Sequence, residues 1–179
     1  MKALVLDQVR KGYSSIPKGL RTFILRGGIL FIVWRVLYEL VLKPSGVPDS
    51  QLIELIMWGT VKMLTPFYSD LVSDGYSLLI NGKKSVTIAA ACNGLELMVL
   101  YVGFLLCFPA KIKRLSLFIA GGVLLTIFLN MVRCAVLAVM FYNNYELADF
   151  MHHYLFKLAI YGVSFYLWIL YSKTDVAKK

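Results

Sequence analysis

Charge is scarce in this chain of 179 residues: 16% are Asp, Glu, Lys or Arg, and only 10 are acidic. Soluble domains carry about 25% charged residues. Cysteine is scarcer still. Cys92, Cys107 and Cys134 are the full complement, an odd number without CxxC spacing. That excludes a disulfide framework and argues against a structural zinc site. With Gly 13 and Pro 5, neither a collagen-like repeat nor a Pro/Gly-rich disordered chain is on offer. There is no internal repeat or low-complexity tract, and Gly-Lys-Lys-Ser at 82–85 lacks the upstream glycine of a phosphate loop. What the chain has in abundance is apolar side chain: 59% of residues are hydrophobic, and the mean hydropathy is +0.72. A single soluble core of this size has too little interior to hide so much. The expected class is an all-α polytopic membrane protein.

Four stretches, approximately 23–42, 92–109, 115–141 and 153–171, are long enough at about 20 residues per crossing to span a bilayer. The polar start, Met1 to Arg21, shows neither an apolar h-region nor a small-residue cleavage site, so no removable signal peptide is expected. The net charge of +9 is read first as topology. Lys2, Arg10, Lys11, Lys18, Arg21 and Arg26 precede or open the first span. Lys111, Lys113 and Arg114 fill the loop after the second, and Lys173, Lys178 and Lys179 lie in the tail. The opposite loops hold Lys43, Lys62, Lys83 and Lys84 beside Asp49, Glu54, Asp70, Asp74, Glu146 and Asp149. Both termini are therefore expected in the cytoplasm, with 43–91 and 142–152 outside. No aromatic-plus-basic stripe lies outside the spans, so nucleic acid is not an expected partner, whereas the lipid bilayer is.

The long outer segment divides in two. Residues 52–66 space apolar side chains helically around Glu54 and Lys62, which predicts an amphipathic helix on the outer interface closed by Pro66. Residues 76–91 read as a small β-hairpin, with two β-rich runs flanking the turn dipeptide Asn81-Gly82.

Ionisable groups at membrane depth cost about 2.5–3.5 kcal/mol each on insertion scales, so each needs a partner or a role. Arg35 and Glu39, one turn apart, are expected to pair. Glu96, Asn130, Arg133, His152, His153 and Lys157 remain. Cys92 opens the second span at its outer end. Arg133 lies eighteen residues beyond Leu115, roughly 27 Å along a helix that starts inside. His152 and His153 open the fourth span from outside. Three reactive residue types on three spans thus reach one depth. A thiolate is favoured by a helix N-terminus and by nearby cations. Imidazole can take and return a proton, and guanidinium can hold an oxyanion or a carboxylate. Asn130, one turn before Arg133, is placed to orient it or to bind substrate, and Gly94 permits close approach of another backbone. Singly, each has an ordinary reading: a small apolar filler, a hydrated interfacial histidine, an arginine reaching the headgroups. Glu96 is open to three readings: a base, a partner for Lys157 or Arg133, or a protonated buried acid. Cys107 and Cys134 read as packing residues.

The segment AAACNGLELMVLYVGFLLCFPAKIKR, then Asn130-x-x-Arg133, then His152-His153 before the last apolar run, resembles the exosortase/archaeosortase family of membrane-embedded cysteine transpeptidases. The resemblance covers about 92–171, and the chain looks like a reduced-length member. It implies Cys92 as nucleophile, Arg133 as oxyanion or substrate stabiliser, and His152 or His153 as acid/base, with Asn130, Asn93, Gly94 and Glu96 in support. Where the family often shows His-x-x-x-Gly, His152 reaches Phe156 and His153 reaches Lys157; His152 is slightly preferred. It also implies substrates: exported proteins whose C-terminal sorting signal carries a short motif, a membrane span and a basic tail. The expected organisation is one membrane domain over 1–179. It comprises a cytoplasmic segment 1–22, an extracytoplasmic insertion 43–91 and a catalytic core 92–171, with the site toward the extracytoplasmic face of the cytoplasmic (inner) membrane. No cofactor is called for. Plain intramembrane proteolysis, which shares the first step and differs only in the acceptor, is a rival enzymatic reading, and two readings of other kinds stand beside it. One is a metal held by Cys92, His152 and His153. The other is a non-catalytic adaptor gripping a partner helix through Gly94, Gly121 and Gly122.

Overall fold

The computed structural model describes residues 17–108 and 110–176. Lys2, Arg10, Lys11, Lys178 and Lys179, invoked above for orientation, lie outside the described residues. Helix α1, Lys18–Leu37, runs on through a π-helical turn at Tyr38–Leu42 and a last turn at Lys43–Ser45. It stops at Gly46, whose φ of +69° closes a helix without strain. Helix α2, Asp49–Leu64, follows at once and ends before Pro66.

Three short strands come next, β1 Leu71–Ser73, β2 Ser77–Ile80 and β3 Lys83–Thr87, antiparallel in the order β1-β2-β3. Asn81 and Gly82 take positive φ (+50° and +74°), as a two-residue hairpin turn of the expected kind requires. The hairpin is present, and β1 makes it a three-stranded sheet. Backbone N–H groups of Tyr76 and Ser77 point at the exposed Asp74 carboxylate and hold it below the ordinary acid range.

After a 3₁₀ turn at Ala90–Cys92 come α3, Leu95–Leu106, and α4, Ile112–Tyr142. A short turn at Ala148–Phe150 and a π-helical turn at Met151–Leu155 then lead into α5, Phe156–Val176. The protein is mostly helical. Two helical stretches, Ile112–Tyr142 and Ala148–Lys173, are long and apolar enough to cross a bilayer. The twelve residues of α3 reach only about 18 Å at 1.5 Å per residue, short of a full hydrocarbon thickness. Arg21, Arg26 and Arg35 interrupt the apolar run of α1.

The interior has two centres. Ile53, Ile56, Met57 and Leu64 of α2 pack with Leu78, Ile80 and Ile88 onto Cys134, Ala135 and Ala138 of α4. The apolar face of α2 is therefore covered by protein, and what it leaves outside is Leu55 and Trp58. Tyr101, Leu105 and Tyr171 form the second centre, where α3, α4 and α5 meet. Apolar side chains along the outside of α1 (Ile24, Ile29, Ile32, Val36) and α5 (Leu158, Phe165) are exposed. A surface of that kind calls for a lipid cover.

Candidate active site

The end of α1, the start of α2, the turn before α3, the upper part of α4 and the top of α5 enclose a cavity of about 370 Å³. Cys92, Asn93, Gly94, Glu96, Asn130, Arg133 and Lys157 all line it, together with Tyr38 and Asp49. Cys92 and Arg133, distant in sequence, thus share one space, whereas neither His152 nor His153 lines it.

Cys92 is half-buried at the end of the 3₁₀ turn, its N–H donating to Ala89 O at 2.8 Å. It stands three residues ahead of Leu95, so it does not open the helix, and the expected first-turn position is corrected. The difference comes from Asn93 and Gly94. Asn93 Oδ1 accepts from Leu95 N–H at 2.9 Å and takes up one of the helix's unpaired donors. Gly94 turns the chain through φ +82°, a region costly for any residue with a Cβ. An ideal Cβ at position 94 would stand 2.5 Å from Asn130 Nδ2. The close approach expected of Gly94 is made to a side chain, not a backbone.

Arg133 is only 5% exposed. Its Nη2 lies 3.4 Å from His152 Nδ1, and its Nε is buried with no hydrogen-bond partner among the described residues. Among the described residues no carboxylate is within ion-pair distance of it. A desolvated guanidinium is costly until its donors find an acceptor, so the cavity is prepared for an anionic or strongly polarised oxygen. Arginine can only donate, which makes His152 Nδ1 the acceptor of this contact and leaves the ring proton on Nε2. His153 is exposed. Its Nδ1 donates to Asp149 O at 2.9 Å, and its ring meets the edge of His152 at 4.8 Å between centroids. Of the two histidines, His152 is the one that touches Arg133.

Asn130 is 1% exposed and donates to Thr126 O at 2.9 Å. It makes no hydrogen bond to Arg133, so the expectation that it orients the guanidinium gives way to a role in shaping the wall beside Gly94. Glu96 is exposed in the first turn of α3. It forms no ion pair with Lys157 or Arg133 among the described residues. Arg35 and Glu39 pair at 3.2 Å, with Lys43 joining Glu39 at 2.8 Å. Cys134 and Cys107 are buried. Among the described residues no three His, Cys, Asp or Glu side chains gather closely enough to hold a metal ion. Of the adaptor's three glycines, Gly94 and Gly122 face Asn130 and Tyr101 inside the protein, and Gly121 alone meets nothing within 4 Å among the described residues.

Spacing arguments missed Tyr38 and Asp49. Tyr38 Oη donates to Asp49 Oδ2 at 2.9 Å, and Asn93 Nδ2 donates to Asp49 Oδ1 at 2.5 Å. A polar residue beside an expected span end was the only signal available for either.

A family model described as transmembrane exosortase matches residues 15–170, a range that includes every residue of the cavity. Comparison with curated proteins gives no match, and comparison with solved structures gives none.

Proposed function

The chain belongs to the transmembrane exosortase family, and on that premise we propose that it is a membrane-embedded cysteine transpeptidase with Cys92 as nucleophile, Arg133 as oxyanion stabiliser and His152 as acid/base. The observation that carries the reading is one cavity, about 370 Å³, lined by both Cys92 and an almost fully buried Arg133 whose guanidinium meets His152. Its substrates are exported proteins with a C-terminal sorting signal and a membrane span. The bilayer itself holds such a span at fixed depth, which removes much of the orientational cost of reaction.

The reaction is two acyl transfers. His152, its ring proton on Nε2, takes the Cys92 proton at Nδ1 as Arg133 leaves that nitrogen for the substrate; the thiolate attacks the peptide carbonyl carbon, and the carbonyl π electrons move to oxygen. Arg133, whose Nε is unsatisfied, donates to that oxyanion. Collapse breaks the C–N bond, the departing nitrogen takes the proton from His152, and a thioester remains on Cys92. An amine or water, deprotonated by the same imidazole, attacks the thioester and restores the thiol. In this reading α1, α3, α4 and α5 make the four crossings, both termini lie in the cytoplasm, and the cavity opens toward the outer face. With α3 short, its crossing is completed by the turn that carries Cys92.

The test is replacement of Cys92 by Ala or Ser in cells that also make an exported protein ending in a membrane span and a basic tail. Substrate length is followed on gels and enzyme abundance by immunoblot. The expected result is loss of processing by about 10³-fold or more at unchanged abundance, while Cys107→Ala retains it. Unaltered processing by Cys92→Ala would refute the assignment.

A further inference from the structure

Asp49 is the one acid buried among the described residues, 6% exposed, and the chemistry above does not use it. It opens α2, where the helix N-terminus favours a carboxylate, yet its two oxygens point away to other elements. Oδ2 accepts from Tyr38 Oη at the end of α1, and Oδ1 accepts from the Asn93 amide, 44 positions along the chain. Asn93 is itself only 1% exposed, and its other end accepts from Leu95 N–H. Each end of that amide is thereby occupied, and its orientation is fixed: nitrogen toward Asp49, oxygen toward α3. Asn93 is bonded directly to Cys92. Burying a carboxylate is a poor way to gain stability, since an apolar replacement of similar volume often does as well or better. What this carboxylate gains is a tie between three elements at the residue next to the sulfur.

We propose that Asp49 is a positioning residue for Cys92, acting through Asn93; the inference rests on Cys92 being the nucleophile. Tyr38 is the second arm of the tie and keeps the carboxylate aimed at Asn93. Misplacing reacting atoms by about 1 Å costs on the order of 100-fold in rate, so releasing Asn93 slows chemistry without removing any group that touches substrate.

The experiment is a double-mutant cycle on the full chain in membranes, with Asp49→Ala, Asn93→Ala and the pair. The first readout is the kcat and KM of substrate processing. The second is the rate at which a maleimide alkylates Cys92, followed by mass spectrometry. Each single variant is expected to lose about 10- to 100-fold in kcat, with KM changed by no more than about threefold. The pair should be no slower than the worse single, because both cut one tether. Alkylation rates should shift alike in all three. Losses that multiply in the pair, or an Asp49→Ala enzyme at the wild-type rate, overturn the proposal.

Two conservative variants decide the question if Asp49→Ala does not accumulate. Asp49→Asn can accept from Asn93 and donate to Tyr38 Oη, so it is expected to stay within about fivefold of wild type. Asp49→Glu keeps the charge but pushes the contact outward by one methylene, and is expected to lose kcat. A Glu variant that works beside an Asn variant that does not would show that Asp49 acts by charge, and the positioning role would be wrong. The alkylation arm needs no substrate. Should Cys92→Ala process normally, the transpeptidase reading falls, while coupled or additive alkylation rates still decide the tether.

Discussion

Replacing Gly94 by Ala tests the wall of the cavity at its tightest point. Two costs add. A residue with a Cβ at φ +82° is strained by about 1–2 kcal/mol. The new methyl would also stand 2.5 Å from Asn130 Nδ2. That amide is 1% exposed and donates to Thr126 O, so it cannot retreat to water; displacing it forfeits a buried hydrogen bond of about 1 kcal/mol. The total is about 2–3 kcal/mol. Gly75→Ala is the matched control, because Gly75 has φ +89° but no atom within 4 Å of its added Cβ; it should carry the strain alone, about 1–2 kcal/mol. Thermal unfolding in detergent reads the difference, at about 2–4 °C per kcal/mol for a chain of this size. Asn130→Ala opens the space, so the Gly94→Ala/Asn130→Ala pair should lose about 1 kcal/mol less than the sum of the singles. A Gly94→Ala melt no lower than Gly75→Ala, or strictly additive losses in the pair, would show that the collision with Asn130 is not what this glycine avoids.

Neighbouring glycines on α4 should respond in opposite directions. A Cβ at Gly122 would collide with the Tyr101 ring, which is fixed by its hydroxyl bond to Phe118 O, so Gly122→Ala should destabilise by about 1–3 kcal/mol. Gly121→Ala meets nothing and should be neutral or gain up to about 1 kcal/mol in the same melt. In the processing assay His152→Ala should lose about 10²-fold or more, whereas His153→Ala stays within a few-fold; equal losses would remove the preference for His152. Arg133→Lys should not rescue Arg133→Ala, since an ammonium cannot reproduce the guanidinium's several fixed donors; recovery to near wild-type turnover would contradict the oxyanion role.

The legible parts of this fold are those written in local chemistry. Asn81-Gly82 demanded a two-residue turn, and the apolar run 115–141 demanded a helix, because each signal fits within its own element. Strand β1 was not legible: three residues, Leu71–Ser73, are too few for an alternating pattern to register. Nor was the covering of α2, because an apolar helical face reads the same whether lipid or α4 lies against it. The meeting of Cys92 and Arg133 in one cavity followed from counting rise along spans. The Asp49–Asn93 bond could not, since no periodicity links positions 44 apart. Cys92 itself was placed one turn too deep, because Asn93 and Gly94 end the 3₁₀ turn before the helix begins.

Tyr38 and His152 each sit in a π-helical turn, Tyr38–Leu42 and Met151–Leu155. Such a turn holds one residue more than an α-helical one, so everything beyond it is rotated by about 100° from where an unbroken helix would put it. Counting by three or four therefore fails across residue 153: the Phe156 N–H donates to Met151 O, five residues back. The same surplus residue offers a mechanical handle. Deleting a single position within 151–155 would swing the whole of the last helix around its axis while leaving its composition nearly untouched, a change in phase that no substitution can produce.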